Sequence, residues 1–235
     1  MGTEDKPAFI AALNMALNVA MTQHKKVAVF SLEMSREQLA LRLLASEGFL
    51  ELQKLVTGKL TEQDWESVAM AADSLNRANI LIDDDSSVTV ADINAKCRRV
   101  DNLGLVVIDY LQLMQGDGRH DNRVQEVAEI SRAMKLMAKE LNVPVICCSQ
   151  LSRGPESRTD KRPMMSDLRE SGSIEQDADV VLFLYRDEYY KTNESSEPNQ
   201  ESAASIVEVI VAKNRHGSTG TVKMGWIGKY TKFRT

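Results

Sequence analysis

Three stretches of the chain end apolar runs on side chains that can handle a phosphate. Leu105-Val106-Val107-Ile108 runs into Asp109-Tyr110, Val27-Ala28-Val29-Phe30-Ser31 into Leu32-Glu33-Met34, and Val143-Pro144-Val145-Ile146-Cys147-Cys148 into Ser149-Gln150. Apolar runs of this length suit strands buried on both faces of a parallel sheet. The carboxyl ends of such strands converge on one crevice, where open α/β sheets bind ligands. Asp109 could hold Mg²⁺, directly or through water, Glu33 could orient or deprotonate an attacking water, and Gln150 could sense a terminal phosphate. Positioning, metal and charge stabilisation are the parts that phosphoryl transfer needs. Taken alone, Asp109 could equally cap a strand and face water.

The elements that must position these residues alternate between the two periodicities. Phe9, Ile10, Leu13, Leu17, Ala20 and Met21 recur at helical spacing from Lys6 onward, with Pro7 tolerated in a first turn. A strand is predicted over 25–31. Ser35-Arg36-Glu37-Gln38 reads as a capping box that opens a helix reaching about Ser46. Residues 50–77 read as further helix, with Trp65, Val68, Ala72 and Leu75 as a buried stripe. Ile80-Leu81-Ile82 is a short strand followed by three aspartates, and a helix runs from Thr89 to Arg99. Past the strand that ends at Asp109, a turn at 116–118 leads to a helix over 122–141 and then to the 143–148 strand.

Residues 153–166 are polar, basic and proline-containing, which predicts a mobile loop. Another buried strand follows at 179–184, and a second mobile loop is expected over 188–204. The runs 206–211 and 221–226 flank a glycine-bearing turn and read as an antiparallel hairpin. The sum is an α/β fold, a mainly parallel sheet flanked by helices with a C-terminal antiparallel extension.

Composition narrows the classes. With 235 residues and 43% apolar side chains, the chain can bury a substantial core and is not of the disordered type. No window approaches the ~20 apolar residues of a membrane span, and no secretory leader pattern opens the chain, so a cytoplasmic location is expected. The three cysteines, two of them adjacent in an apolar run, read as core thiols of a reducing compartment rather than a disulfide framework or a metal site. A net charge of −5 does not announce a nucleic-acid partner. Residues 153–169 hold five basic and three acidic side chains, a weak footprint of +2.

Longer motifs make a resemblance specific. Phe30-Ser31-Leu32-Glu33-Met34-Ser35, Val107-Ile108-Asp109-Tyr110-Leu111-Gln112-Leu113, Ser149-Gln150-Leu151-Ser152-Arg153, the block from Lys161 to Asp179, and Ala212-Lys213-Asn214-Arg215-His216-Gly217 appear in order along the chain. With these the sequence resembles the C-terminal motor domain of the DnaB family of bacterial replicative DNA helicases, which are RecA-like P-loop ATPases. The likeness covers essentially everything from Lys6 onward and implies a single RecA-like domain over 1–235. It also implies ATP and Mg²⁺ as cofactors. Residue by residue, Glu33 matches the water-activating glutamate, Asp109 the magnesium carboxylate, and Gln150 the link between γ-phosphate state and the DNA loops. Arg215 matches the arginine finger, with Lys213 beside it; in this family both reach the ATP site of a neighbouring subunit. Arg169, Glu170 and Gly172 match the loop that grips single-stranded DNA. A homo-hexameric ring, primase and a helicase loader are the partners implied, at the replication fork of a bacterial cytoplasm. Read without the resemblance, Lys213 and Arg215 would be a solvated hairpin face and Arg169–Glu170 a local ion pair.

The sequence departs from the family at the phosphate-binding loop, which needs G-x-x-x-x-G-K-[ST]. Lys6-Pro7-Ala8-Phe9 lines up with the family's Lys-Thr-Ala-Phe, so Lys6 matches the phosphate-binding lysine. Asp5 replaces a glycine, Pro7 replaces the hydroxyl residue, and the upstream glycine and strand are missing. The expectation is that residues 1–5 are foreign to the native chain and that the native start is cut away; a degenerate native gene is the other explanation. Two functions follow. One is the motor of an ATP-driven helicase, weak or inactive in this form. The other is a catalytically dead module that keeps DNA or loader contacts. A RecA-type recombinase is a lesser rival, opposed by the 161–179 block.

Overall fold

A computed structural model describes residues 7–116, 122–152, 154–168, 172–188 and 205–234. The elements in order are α1 (Pro7–Thr22), β1 (Lys26–Ser31), α2 (Arg36–Gly48), α3 (Leu52–Thr57), α4 (Glu62–Arg77), β2 (Ile80–Asp83), α5 (Val90–Cys97), β3 (Leu103–Asp109), α6 (Arg123–Leu141), β4 (Val145–Cys147), α7 (Gly172–Asp177), β5 (Val180–Tyr185), β6 (Ser205–Asn214), β7 (Gly220–Ile227) and β8 (Lys232–Arg234). They form two four-stranded sheets. The first is parallel in the order β2-β1-β3-β4, and the second is antiparallel in the order β5-β6-β7-β8. This is the predicted α/β architecture, and the hairpin lies where the sequence placed it.

The strands β1 and β3 are buried along most of their length because helices cover both faces. Alternate residues face opposite ways along a strand. Ala28, Phe30, Val106 and Ile108 pack with Ile93 and Cys97 of α5 and with Val127, Ile130, Met134 and Met137 of α6. Their neighbours Val27, Val29, Leu105 and Val107 pack with Phe9, Leu13 and Ala16 of α1 and with Leu39 and Leu43 of α2. Gly104 allows Lys25 to cross close to β3: a Cβ there would lie 2.5 Å from the Lys25 Cβ. Burial pushes the Cys97 thiol up to about 11, in keeping with a core thiol. Among the described residues, no helix is long and apolar enough to cross a membrane.

The helix α1 serves both sheets. Its Ile10 joins Val207 and Trp226 of the second sheet, while the side chain of Asn14 accepts from the Phe233 N–H at 3.0 Å. The capping box at Ser35 and Gln38 is present as predicted, and Thr61 with Asp64 and Thr89 with Asp92 make two more.

The structure corrects three expectations. Strand β5 pairs antiparallel with β6 instead of joining the parallel set; its burial alternates, leaving Val180 and Leu182 on an open face. A continuous apolar run looks alike in both settings. The stripe predicted for α4 is only partly covered: Trp65 is 59% exposed and only Ala71 is fully buried. The amphipathic spacing is there, but Val68 and Leu75 are only half-buried and Ala72 is exposed. The loop expected over 153–166 contains short 3₁₀ turns at Gly154–Ser157 and Met165–Asp167 and is held by ion pairs described below. The predicted turn at 116–118 and the second loop lie largely outside the described residues.

Ile108 is fully buried beside Asp109, so Ile108→Ala is expected to cost about 2–5 kcal/mol. Trp65→Ala should change stability by no more than about 0.5 kcal/mol. Urea unfolding of both variants checks the pair, and a large loss at Trp65 would restore the buried stripe.

Candidate functional site

The site begins at the register between β1 and β3, which sets Ser31 beside Asp109. The Leu32 N–H donates to the Asp109 carbonyl at 2.8 Å, tying the two strand ends together. The Ser31 hydroxyl then closes a turn, donating to the Met34 carbonyl at 2.8 Å and accepting from the Met34 N–H at 3.2 Å. Glu33 lies within this clasp with its side chain toward solvent. Beyond it Asp84, at the end of β2, accepts from the Arg36 N–H at 3.1 Å and pairs with the Arg36 guanidinium at 3.2 Å. The Arg36 backbone N–H, foremost, holds the Asp84 carboxyl below the usual carboxylate range. The turn carrying Glu33 is therefore fixed at both ends.

Asp109 is buried, 2% exposed, and the Asp109–Tyr110 peptide is cis. Burial, with the Asp109 charge next to it, pushes the Cys147 thiol up to about 12, so this thiol stays protonated near neutral pH. The next turn joins β3 to the end of β4. Leu111 N–H donates to the Cys148 carbonyl at 3.0 Å, and Cys148 N–H to the Ile108 carbonyl at 2.9 Å. The Gln112 carboxamide clasps the following residues: it accepts from the Gln150 N–H at 3.1 Å and donates to the Ser149 hydroxyl at 2.9 Å. Gln150 is thus held by its backbone while its side chain is exposed. Glu33, Asp109 and Gln150 end or follow three neighbouring strands, β1, β3 and β4, on one sheet edge, as the sequence implied.

The chain continues from Gln150 straight into the basic loop. Leu151 forms an isolated antiparallel bridge with Leu168, and the Ser152 N–H donates to the Asp167 carbonyl at 2.8 Å. Asp167 is 4% exposed and takes a two-pronged bond from Arg158 at 2.9 and 2.6 Å, plus the Met164 N–H at 2.8 Å. Gly154 passes so close that a Cβ would stand 2.9 Å from the Asp167 carboxylate. Arg162 forks onto Glu208 of β6 at 2.7 and 2.9 Å and lies over the Tyr185 ring at 4.8 Å. The segment 154–168 is a pinned structure: local polarity announced a loop, but it could not reveal charge pairs formed across sequence and onto another strand.

Lys213 and Arg215 lie on the second sheet, at and just past the end of β6. Their hydrogen bonds and ion pairs run to α7 and Asp179. Gly172 is the first residue of α7, with open space where a Cβ would go. Lys6, Arg169 and Glu170 lie outside the described residues. Sequence reasoning missed Gln112, Asp84 and the Arg158–Asp167 pair; Gln112 lay inside a quoted motif, but nothing in its spacing showed a clasp on Gln150.

The donor set fits the implied metal in a limited way. Among the described residues, no group of three or more His, Cys, Asp or Glu side chains could hold an ion. One buried carboxylate fits magnesium, which keeps water and phosphate oxygens as most of its ligands. Pro7, which opens α1, offers neither a hydroxyl nor an N–H to a phosphate or its metal.

Comparison with known proteins bears on the whole chain. Residues 5–235 match the family described as the DnaB-like helicase C terminal domain. The chain is 57% identical over 232 residues to the replicative DNA helicase DnaB of Geobacillus stearothermophilus, covering 97% of this chain and 49% of that protein. It is 54% identical over 232 residues to the replicative DNA helicase DnaC of Bacillus subtilis (strain 168), with the same 97% and 49% coverage. The chain therefore spans about half the length of these relatives. Among solved structures, it superposes on a DnaB-like replicative helicase described with its interactions with primase, with a TM-score of 0.89 and 39% identity over 98% of this chain and 55% of that one. A second solved structure, described as an ATPase domain, gives a TM-score of 0.88 at 40% identity, covering 98% of this chain and 81% of that one.

The Arg158 guanidinium, foremost, holds Asp167 below the usual carboxylate range. What this pair adds to stability is therefore complete above about pH 4 and is lost as the pH falls through the lower folded value. Amide exchange at Ser152 and Met164, corrected for intrinsic rates, is expected to accelerate on acidification below about pH 4 while β3 stays protected. Unchanged protection of these two amides down to about pH 2 would show that the loop is held by something else.

Proposed function

Because the chain belongs to the DnaB-like helicase C-terminal domain family, we propose that it is the motor of a replicative DNA helicase, turning ATP hydrolysis into movement on single-stranded DNA and duplex unwinding. The observation that carries this reading is the placement of Glu33, Asp109 and Gln150 on one edge of the parallel sheet. Asp109 is the magnesium carboxylate. Bound Mg²⁺ would neutralise charge on the phosphates, the contribution metals make in phosphoryl transfer. Glu33, on its fixed turn, orients the attacking water. Gln150 reads the terminal phosphate, and its next residues run through the Leu151–Leu168 bridge toward Arg169, Glu170 and Gly172 at the DNA. Lys213 and Arg215 serve the ATP site of an adjoining subunit, which makes the working unit a ring, a hexamer by family likeness. Primase and a loader are the expected partners, in the bacterial cytoplasm at the replication fork.

Grip on DNA without strong net charge is physically reasonable. Backbone N–H groups and a few cations repeated around a ring can follow a phosphate chain irrespective of sequence. Pro7 favours a qualified reading of the chain as it stands. A proline in place of the hydroxyl residue takes one donor and metal ligand from the phosphates, so nucleotide binding is weak.

The test compares ATP turnover by this chain with turnover after a strand and Gly-x-x-x-x-Gly are restored ahead of Lys6 and Pro7→Thr is made. The chain as it stands should turn over slowly, and the restored chain at least about a hundredfold faster. In the restored chain Asp109→Asn or Glu33→Gln should cost about 10²–10⁴ in kcat. Robust hydrolysis by the unrestored chain would overturn the weak-binding reading. A restored chain that binds ATP but is indifferent to Asp109→Asn would overturn the site itself.

A further inference from the structure

The short helix α7 ends where two cations meet it. The last four carbonyls of any helix lack partners within the helix, and the helix dipole makes that end attractive to positive charge. Here the Ala178 N–H takes up the Ile174 carbonyl, leaving those of Glu175, Gln176 and Asp177, of which the first two meet the cations. Lys213 Nζ donates to the Glu175 carbonyl at 2.5 Å and reaches the Gln176 carbonyl at 3.4 Å. Arg215 Nη2 donates to the same Gln176 carbonyl at 2.8 Å. Arg215 Nε stands 3.4 Å from Asp179 Oδ1, while its backbone N–H donates to the Asp179 carbonyl at 2.8 Å. Asp179 Oδ2 is in turn paired with Lys135 of α6, and the Ser131 hydroxyl holds Asp177 at 2.9 Å. One seat, anchored to the long helix α6, therefore receives both side chains.

We propose that Asp179, together with the Glu175 and Gln176 carbonyls, is a positioning seat that presents Lys213 and Arg215 as an oriented pair to the phosphates of an adjoining nucleotide. This rests on the reading of Arg215 as an arginine finger given above. A guanidinium has five N–H donors. The seat takes one hydrogen of Nη2 in a hydrogen bond and sets Nε at ion-pair distance from Asp179, so the Nη1 pair and the second Nη2 hydrogen are left for a ligand. Arg215 and Asp179 have side chains 45% and 44% exposed. An ion pair this exposed is weak. It narrows the directions the guanidinium samples, yet a triphosphate, bound by stronger charge-assisted bonds, can draw the side chain forward. Orientation prepared before the encounter lowers the cost of bringing the two cations to the transition state, where their charge counts most.

The experiment measures ATP turnover under self-associating conditions in the loop-restored chain, for Asp179→Asn, Arg215→Ala and both together, with melting temperature as a control for folding. Asp179→Asn should lower kcat about fivefold, the size of an exposed pair, with KM unchanged. In the Arg215→Ala background it should do nothing further, because the group it positions is gone. In the unrestored chain, nuclear magnetic resonance relaxation of the Arg215 guanidinium should report faster reorientation after Asp179→Asn. The same fold loss with and without Arg215, or no loss in kcat, would overturn the proposal. If Arg215→Ala leaves turnover unchanged, the finger reading itself fails and the seat's catalytic role with it. A turnover loss in Arg215→Ala with none in Asp179→Asn removes only the seat.

Discussion

The register of β1 against β3 is the constraint on which the rest of the site depends. Pairing Ser31 with Asp109 brings two strand ends to the same level, and the Leu32 N–H bond to the Asp109 carbonyl locks them there. A slip of one residue would turn every side chain of β1 to the other face. Ala28 and Phe30 would then leave the α5–α6 side, Val27 and Val29 would leave the α1–α2 side, and Glu33 would move relative to Asp109. Both faces are fully packed, so the hydrophobic core holds this register and thereby fixes the relative position of the polar residues. Stability and chemistry share one element here, which is why the buried carboxylate can be tolerated at the strand's end.

Around that edge the structure uses backbone clasps to set each polar side chain. Ser31 and Asp84 fix the turn that carries Glu33, and Gln112 fixes Ser149 and Gln150. Asp167 then carries the order onward through Ser152 into the loop. Each clasp binds main chain and leaves the functional side chain exposed. This arrangement suits a site that must exchange ligands, because the backbone is held while Glu33 and Gln150 are exposed. The links run from Gln150 through the Leu151–Leu168 bridge and the Ser152 N–H bond to Asp167.

Much of this was legible in the amino-acid order. Apolar runs that stop on Glu33, Asp109 and Gln150 are local signals, and the sheet brought them together as expected. The caps at Ser35, Thr61 and Thr89 are also local, and they form. Legibility ended where pairing is long-range. Nothing near β5 distinguishes a strand covered on one face from one covered on both, and nothing near Trp65 tells how much of its helix another element covers. Arg158 with Asp167, Arg162 with Glu208 and Arg215 with Asp179 join residues that only the fold makes neighbours. The family resemblance supplied expected roles for Lys213 and Arg215 that spacing alone could not, and it marked Pro7 as a departure from the family's pattern.

The central claim is that the three strand ends form one nucleotide site. Paramagnetic broadening by Mn²⁺–ATP in the loop-restored chain addresses it most directly. The account predicts that amide signals of Glu33, Asp109 and Gln150 broaden together at low Mn²⁺–ATP, while those of β7 and β8 keep their intensity. Broadening centred elsewhere, or at one of the three residues without the others, would contradict it.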